Sequence, residues 1–425
     1  MAFSTLPPSG NAVALAGLLR AGRASAPSAD ASEDFIAAFA AHGGHASDRI
    51  LLTDSGTTAL YLALRGLSAL AGSGRVAVPA WCCPSVPQAV IQAGLVPALI
   101  DLDPSTLAYD PESLHAARVH PLGLVGVILV HFFGMEPPRP QGEWKGIQFI
   151  RDCAQDFDYR PDADDPAPCV YSFGRGKALN AGHGGALCLP AGAPMALTEA
   201  CRAAWTGLPE SRARVWPKVF AINLLSEPRL FRLVSAMPGL GLGTTVWDAP
   251  LEFARIAPAF APLGLVCLET WRHRRDAYRS LLGRYGGLAR TCKLGSVVAP
   301  MAGLAWNGIP VRYPLLIKPA GVRDDLVAAA RMRSGGVTRM YPTVLPGLPG
   351  APEGLAGESG FPGARMVAET LITLPVTAYL IGKEDRFLAG LARIFERLGL
   401  RPVEAASETA LRPGWRPMPA GMFRV

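Results

Sequence analysis

Between Ile50 and Gln155 the chain alternates short aliphatic runs with stretches of helical spacing. ILLT is followed by GTTALYLALRGLSAL, RVAVPA by a helical pattern over residues 85–93, and VPALIDLD by a short helix after Pro111. LVGVILVHFFG and GIQFIRDCAQ then complete the series. Strand and helix in alternation require crossover connections, which means a mostly parallel sheet with helices on both faces. The expected class is α/β. In such sheets a ligand lies beyond the carboxyl ends of the strands. That rule singles out Ala80 to Cys83, Asp101, His131 to Gly134 and Asp152 to Gln155. The apolar run from Leu122 to Val130 is too short to span a bilayer and reads as a buried strand.

Two other stretches carry chemistry. Ser55-Gly56-Thr57-Thr58 falls where the helix after ILLT begins, so free N–H groups, the positive end of the helix dipole and hydroxyl donors coincide. This suits a phosphate, and it equally suits an ordinary Ser/Thr helix cap. The second stretch is YSFGRGKALNAGHGG, from Tyr171 to Gly185, with Lys177 near its middle. The chain has only six lysines beside many arginines. Arginine cannot become a neutral amine, whereas lysine can form a Schiff base. The plain alternative is a surface lysine in a glycine-rich turn. With Asp152 at a strand end, the three stretches together supply what pyridoxal phosphate needs: an amine for its aldehyde, donors for its phosphate, and a carboxylate for its ring nitrogen.

Half of the 425 residues are apolar, enough for two domains or one large α/β domain with an appendage. The net charge of +7 comes from arginines scattered without a basic run, which speaks weakly for nucleic acid and leaves acidic small molecules open. The N-terminus lacks a basic segment before an apolar core, so a cytoplasmic protein without membrane attachment is expected. Eight cysteines without C-x-x-C pairs read as reduced thiols, and no histidine pattern indicates a metal site. The glycine run from Gly239 to Gly243 does not follow a strand and is no nucleotide fingerprint.

Three regions are expected along the chain: an extended N-terminal arm over residues 1–32, a large domain over 33–265, and a connecting helix with a small α/β domain over 266–425. The connecting helix is expected to run from about Leu263 and to stop at Gly286-Gly287. IPVRYPLLIKP reads as a strand, DDLVAAARMRSG as a helix and Glu384 to Leu398 as a final amphipathic helix. Between them, the proline- and glycine-rich loop GVTRMYPTVLPGLPGAPEG offers Arg339 and Tyr341 as carboxylate or phosphate contacts.

SGTTAL, GLVPALIDLDPSTLAYDPESL, VHFFG, RDCAQ, and SF followed by GRGK and GHGGAL resemble the DegT/DnrJ/EryC1/StrS family of fold-type I, pyridoxal-phosphate-dependent aminotransferases. The likeness is good over residues 50–190 and resumes with VRYPLLIK and FPGARMVAETLITLPV. It implies an aspartate-aminotransferase-like architecture, a homodimer with sites at the interface, and a small-molecule amino donor and keto acceptor, often a nucleotide-linked keto sugar. It makes Lys177 the Schiff-base lysine and catalytic base, and Asp152 the partner of the pyridine nitrogen. Gln155 falls at the ring face or 3′-oxygen side, Ser55, Gly56 and Thr57 at the phosphate, and Ser172 beside them.

Several positions depart from the family pattern. An aromatic residue is usual where Cys83 stands, with Trp81 two residues earlier, so the ring-stacking group is Cys83 or Trp81. Where GEGG is common this chain has GHGG, making His183 a second acid/base group or an inert loop residue. Residues 200–265 diverge, and Asn223 is the one asparagine there to match a residue that reaches a neighbour's phosphate. Pyridoxal phosphate chemistry of another type, elimination or carbon–carbon bond formation, and a non-catalytic regulatory role are the alternatives to transamination.

Overall fold

The computed structural model describes residues 6–7, 13, 15–24, 29–206, 212–236, 245–247, 253, 255, 260–291, 308–317, 320–333, 335–355 and 360–399. Two helices, α1 (Leu15–Ala24) and α2 (Ala29–Gly43), precede the first strand. Then come β1 (Ile50–Thr53), α3 (Gly56–Ala71), β2 (Arg75–Pro79), α4 (Ser85–Gln92) and β3 (Val96–Ile100). The alternation continues with α5 (Pro111–Val119), β4 (Leu124–Val130), β5 (Gln148–Asp152), β6 (Cys169–Ser172) and β7 (Gly185–Cys188).

The seven strands form one sheet in the order β1-β7-β6-β5-β4-β2-β3. All neighbouring pairs are parallel except those of β7, which runs antiparallel to both β1 and β6. Side chains alternate between faces along each strand, and here both faces are apolar. On β4, Ile128 and Val130 pack in the core with Leu60, Leu64 and Leu67 of α3, while Val127 and Leu129 pack in a second core with Leu114 of α5. On β6, Val170 joins the first core, and Cys169 and Tyr171 face Phe35 and Phe39 of α2. The expected α/β sandwich is therefore present.

Beyond the sheet lie α6 (Met195–Ala204), α7 (Arg212–Leu225), α8 (Pro228–Ala236) and the long α9 (Ala261–Thr291). A smaller unit follows, with β8 (Arg312–Leu316), α10 (Ala320–Arg333), α11 (Pro362–Thr370), β9 (Leu371–Pro375) and α12 (Glu384–Arg397). Strands β8 and β9 pair antiparallel, Arg312 opposite Pro375. No described helix is long and apolar enough to cross a membrane.

Three local expectations are corrected. The stretch expected as an extended arm holds helix α1, because Leu18 and Ala21 are buried and Gly17 sits against Val266 of α9. Helix α9 runs through Gly286-Gly287 to Thr291. Tyr285 and Ala289 on either side are buried, and the Tyr285 hydroxyl donates to the Pro375 carbonyl at 2.7 Å, so tertiary packing overrides the weak helix propensity of glycine. Strand β4 begins at Leu124, with Leu122 left 68% exposed before it. The Gly239–Gly243 run lies outside the described residues.

Candidate active site

The carboxyl end of β5 places Asp152 8% exposed under the middle of the sheet's ligand edge. Its Oδ1 accepts the Ala154 N–H at 3.0 Å. Burial pushes the carboxyl above its ordinary range, and the Lys177 charge, the Ala154 N–H and His131 pull the other way. Such a carboxylate lacks the full compensation a buried charge requires, and a cation lodged against it would lower its pKa.

Lys177 stands half-buried on the loop between β6 and β7. That loop is a glycine-rich turn: Gly176, Gly182 and Gly184 take φ of +82, +75 and +95, a region costly for other residues. Its N–H donates to the Gly174 carbonyl at 3.3 Å. The turn closes where Gly184 N–H donates to the Asp54 carbonyl at 2.7 Å.

That closure brings the lysine loop to the first turn of α3. Ser55 caps the helix, its Oγ accepting the Thr58 N–H at 3.1 Å. The cap and the phosphate readings are thus compatible, since the cap satisfies Thr58 and leaves the N–H groups of Gly56 and Thr57 ahead of it. A methyl group on Gly56 would lie 2.6 Å from Ser172 Cβ and 3.0 Å from its Oγ. One on Gly185 would lie 2.5 Å from the Gly56 nitrogen. Ser55, Gly56 and Ser172 therefore lie close to one another or to Gly185, and the first turn of α3 meets the end of β6 in a cradle too tight for an added β-carbon. A carboxyl in need of a cation, an amine beside it and a backbone cradle suited to an anion fit pyridoxal phosphate.

Around this centre the other candidates separate. Gln155 is buried and its Oε1 accepts the Phe133 N–H at 3.3 Å, which fixes the turn after β4. Trp81 is fully enclosed beside Phe132, with ring centroids 5.4 Å apart, and its Nε1 donates to the Tyr341 carbonyl at 3.0 Å. Cys83 is the partly open member of that pair, with Sγ 3.0 Å from Ser85 Oγ. His183 is buried, and burial with the Lys218 charge lowers its pKa to about 4, against the pull of Asp54, so its imidazole is neutral near pH 7. Arg339 turns away to Asp324 of α10, Nη1 to Oδ1 3.3 Å. Tyr341 stands edge-on to Trp81 at 5.1 Å, and its phenol is raised by burial and by the nearby Cys83, Cys82 and Asp152. Asn223 spends both amide atoms within the chain: Oδ1 accepts Val13 N–H at 2.8 Å and Nδ2 donates to Val219 carbonyl at 3.0 Å.

Two further residues stand near the site: His131, singled out above as a strand end, and Arg312, which the sequence reading misses. His131 follows β4, donates its N–H to the Asp152 carbonyl at 3.0 Å, and sets Nδ1 2.9 Å from Asp156 Oδ2. Burial and Arg151 lower its pKa to about 3. Arg312 opens β8, its Nη1 2.6 Å from Thr338 Oγ1, and it lies within the electrostatic reach of Tyr341 and Arg175. The one signal in the sequence was an arginine inside the apolar strand VRYPLLI.

The model of the DegT/DnrJ/EryC1/StrS aminotransferase family matches residues 13–224. The 3-amino-5-hydroxybenzoate synthase of Amycolatopsis mediterranei is 31% identical over 205 residues, 46% of this chain and 51% of that protein. The L-glutamine:2-deoxy-scyllo-inosose aminotransferase of Streptomyces kanamyceticus is 30% identical over 140 residues, 31% and 32% of the two chains. The matched part spans about half of the first relative and a third of the second. NtdA of Bacillus subtilis, solved with bound cofactor PMP, superposes over 90% of this chain and 82% of its own with a TM-score of 0.65 at 16% identity, which establishes a shared fold.

Proposed function

The chain belongs to the DegT/DnrJ/EryC1/StrS aminotransferase family, and from that premise we propose that it is a pyridoxal-phosphate-dependent aminotransferase. It moves the amino group of a glutamate- or glutamine-like donor to a cyclic keto acceptor of a biosynthetic pathway. The observation that carries this reading is the meeting of Lys177, Asp152 and the Gly56–Ser172–Gly185 cradle at one edge of the sheet. The acceptor class rests on the named relatives, one of which acts on 2-deoxy-scyllo-inosose. A homodimer in the cytoplasm, with a site at the subunit interface, belongs to the same reading.

Pyridoxal phosphate, when bound, supplies an aldehyde that amines condense with and a protonated ring that draws electrons from the donor's α-carbon. Asp152 would face the ring nitrogen, and the N–H groups of Gly56 and Thr57 with the Ser172 hydroxyl would hold the phosphate. Cys83 would lie on the ring face, with Trp81 behind it as a rigid wall, and Gln155 near the 3′-oxygen. The Lys177 amine would carry the cofactor at rest. Once displaced by the donor, it would take the proton from the donor's α-carbon and return it during transfer. The buried floor around Asp152 and Trp81 excludes water from that proton transfer.

The test is borohydride reduction followed by peptide mass analysis. Pyridoxal phosphate should be fixed to Lys177 of the wild type, and the Lys177→Ala variant should bind it without a covalent bond and lose turnover. Covalent fixation at another residue, or full activity in the variant, would overturn the assignment.

A further inference from the structure

Asp152 sits between two turns that leave neighbouring strands. One follows β4 from His131 to Gly134, and the other follows β5 from Cys153 to Asp156. Three contacts clasp them together. His131 N–H donates to the Asp152 carbonyl at 3.0 Å, Phe133 N–H donates to Gln155 Oε1 at 3.3 Å, and His131 Nδ1 lies 2.9 Å from Asp156 Oδ2. Asp156 N–H closes the second turn on the Cys153 carbonyl at 2.9 Å. Asp152 thus begins a turn whose far end is tied back to the residue that holds its own carbonyl.

The proton of the His131 imidazole is assigned by its other neighbour. Arg151 Nη1 stands 3.5 Å from Nε2, and a guanidinium only donates. Nε2 therefore accepts, and Nδ1 carries the proton that Asp156 receives. Arg151 is itself fixed, with Nη1 2.9 Å from Glu136 Oε1 and Nε 2.6 Å from Asp165 Oδ2. The Tyr159 ring stands edge-on to the imidazole, centroids 4.5 Å apart. Both partners of the His131–Asp156 pair have wholly buried side chains, so neither swings without breaking this chain of contacts.

Asp156 is costly where it stands. Its Oδ1 is buried with no hydrogen-bond partner among the described residues. It also needs a glycine beside it, since a β-carbon on Gly308 would lie 2.5 Å from that oxygen. A buried carboxyl oxygen left unpaired weakens a fold. Packing alone would favour an apolar residue here, and what the carboxyl adds is the grip of its other oxygen on His131.

We propose that His131 and Asp156 form a positioning pair, which holds Asp152 where its carboxylate meets the ring nitrogen of pyridoxal phosphate. The inference rests on the aminotransferase reading and names the residues on which its Asp152 depends. A hydrogen bond weakens steeply with distance and angle, so a small displacement of the Asp152 backbone changes how firmly the ring keeps its proton.

The experiment reconstitutes the full chain with pyridoxal phosphate isotopically labelled at the ring nitrogen and reads that nucleus by NMR, which separates a protonated ring from a free one. Borohydride fixation at Lys177 is checked first on each protein, so a failure of the cofactor assignment is seen before the resonance is read. His131→Phe and Asp156→Ala should keep the cofactor on Lys177 and move the resonance toward that of the unprotonated ring. They should lower kcat by as much as about 100-fold, with a smaller change in donor KM. The double variant should be no worse than either single one, because the two residues act as a unit. Asp156→Asn keeps the shape and an oxygen for the His131 N–H, and should restore the resonance and most of kcat. Gly308→Ala pushes on Asp156 without removing it, and should move the resonance the same way by a smaller amount. A resonance unmoved in His131→Phe and Asp156→Ala, or unmoved in Gly308→Ala where those two do not fold, overturns the proposal. So does a resonance displaced as far in Asp156→Asn as in Asp156→Ala, which would make the charge of the carboxyl, and not its grip, the cause.

Discussion

The carboxylate of Asp101, at the end of β3, accepts the backbone N–H of Ala364 at 2.7 Å in the first turn of α11. Its second oxygen accepts Gly363 N–H at 3.0 Å. Helix α11 has no side-chain cap of its own, because Phe361 occupies the capping position in a left-handed conformation with φ +49. The large sheet therefore supplies the cap for a helix of the smaller unit. Replacing Asp101 by Ala leaves two buried N–H groups unsatisfied and should cost about 2 kcal/mol. Urea unfolding measures it, and a loss below a few tenths of a kcal/mol would contradict the role.

The contact between Gly56 and Ser172 makes a paired-mutation test possible. Gly56→Ala places a methyl group 2.6 Å from Ser172 Cβ, so the variant should lose affinity for pyridoxal phosphate while staying folded. Adding Ser172→Gly removes the colliding atoms and should restore part of that affinity. Gly185→Ala meets backbone atoms of Ser55 and Gly56, and no single side-chain truncation should relieve it. Equilibrium dialysis of the cofactor separates these outcomes.

Three histidines, His131 and His183 buried and His45 half-buried, set the acid limb of stability. His131 is lowered to about 3 and His45 and His183 to about 4, from an ordinary 6.5. Below pH 6.5 the unfolded chain takes protons that these groups in the folded chain refuse, so stability falls as pH drops toward 4. Each contributes a slope of about 1.4 kcal/mol per pH unit in that window. Asp152 and Asp156, raised by burial, act with the opposite sign. His131→Asn should make the dependence of unfolding free energy on pH shallower by one such contribution between pH 6 and 4. Urea midpoints across that range read it directly, and an unchanged slope would refute it.

Gly287 lies within α9 with open space where a β-carbon would stand. Alanine there fits the helical backbone and narrows the unfolded ensemble. Gly287→Ala should therefore stabilise the protein by about 0.5–1 kcal/mol, seen as a raised thermal midpoint. A destabilised variant would refute this expectation.

The strands were legible because apolar runs buried on both faces leave a continuous signal, and the rule about strand ends then pointed to Asp152 before any packing was known. Ser172 and Gly56 were legible as separate fragments. Their mutual contact was not, since it depends on β7 returning to the edge strand. Arg312 was missed because one charged residue in a strand says nothing about what crosses above it. The ending of α9 was misread because glycine propensity is local, whereas Tyr285 and Ala289 are held by distant partners. His183 and Trp81 show the same limit: residue type suggested chemistry, and burial decides how much of each side chain meets the site.

Strand β7 lies between β6 and β1, and pairs Ile50 with Cys188 and Thr53 with Gly185. As the chain leaves the ribosome, β1 and the first turn of α3 therefore emerge early, and the partner of β1 among the described strands, β7, is complete only once residue 188 has followed. The phosphate cradle is thus among the last parts of the large sheet to be completed, by a contact of long sequence separation that must be closed against chain entropy. Nascent chains halted before Gly185 should carry the central parallel strands and be unable to hold the cofactor, so its capture dates the arrival of β7.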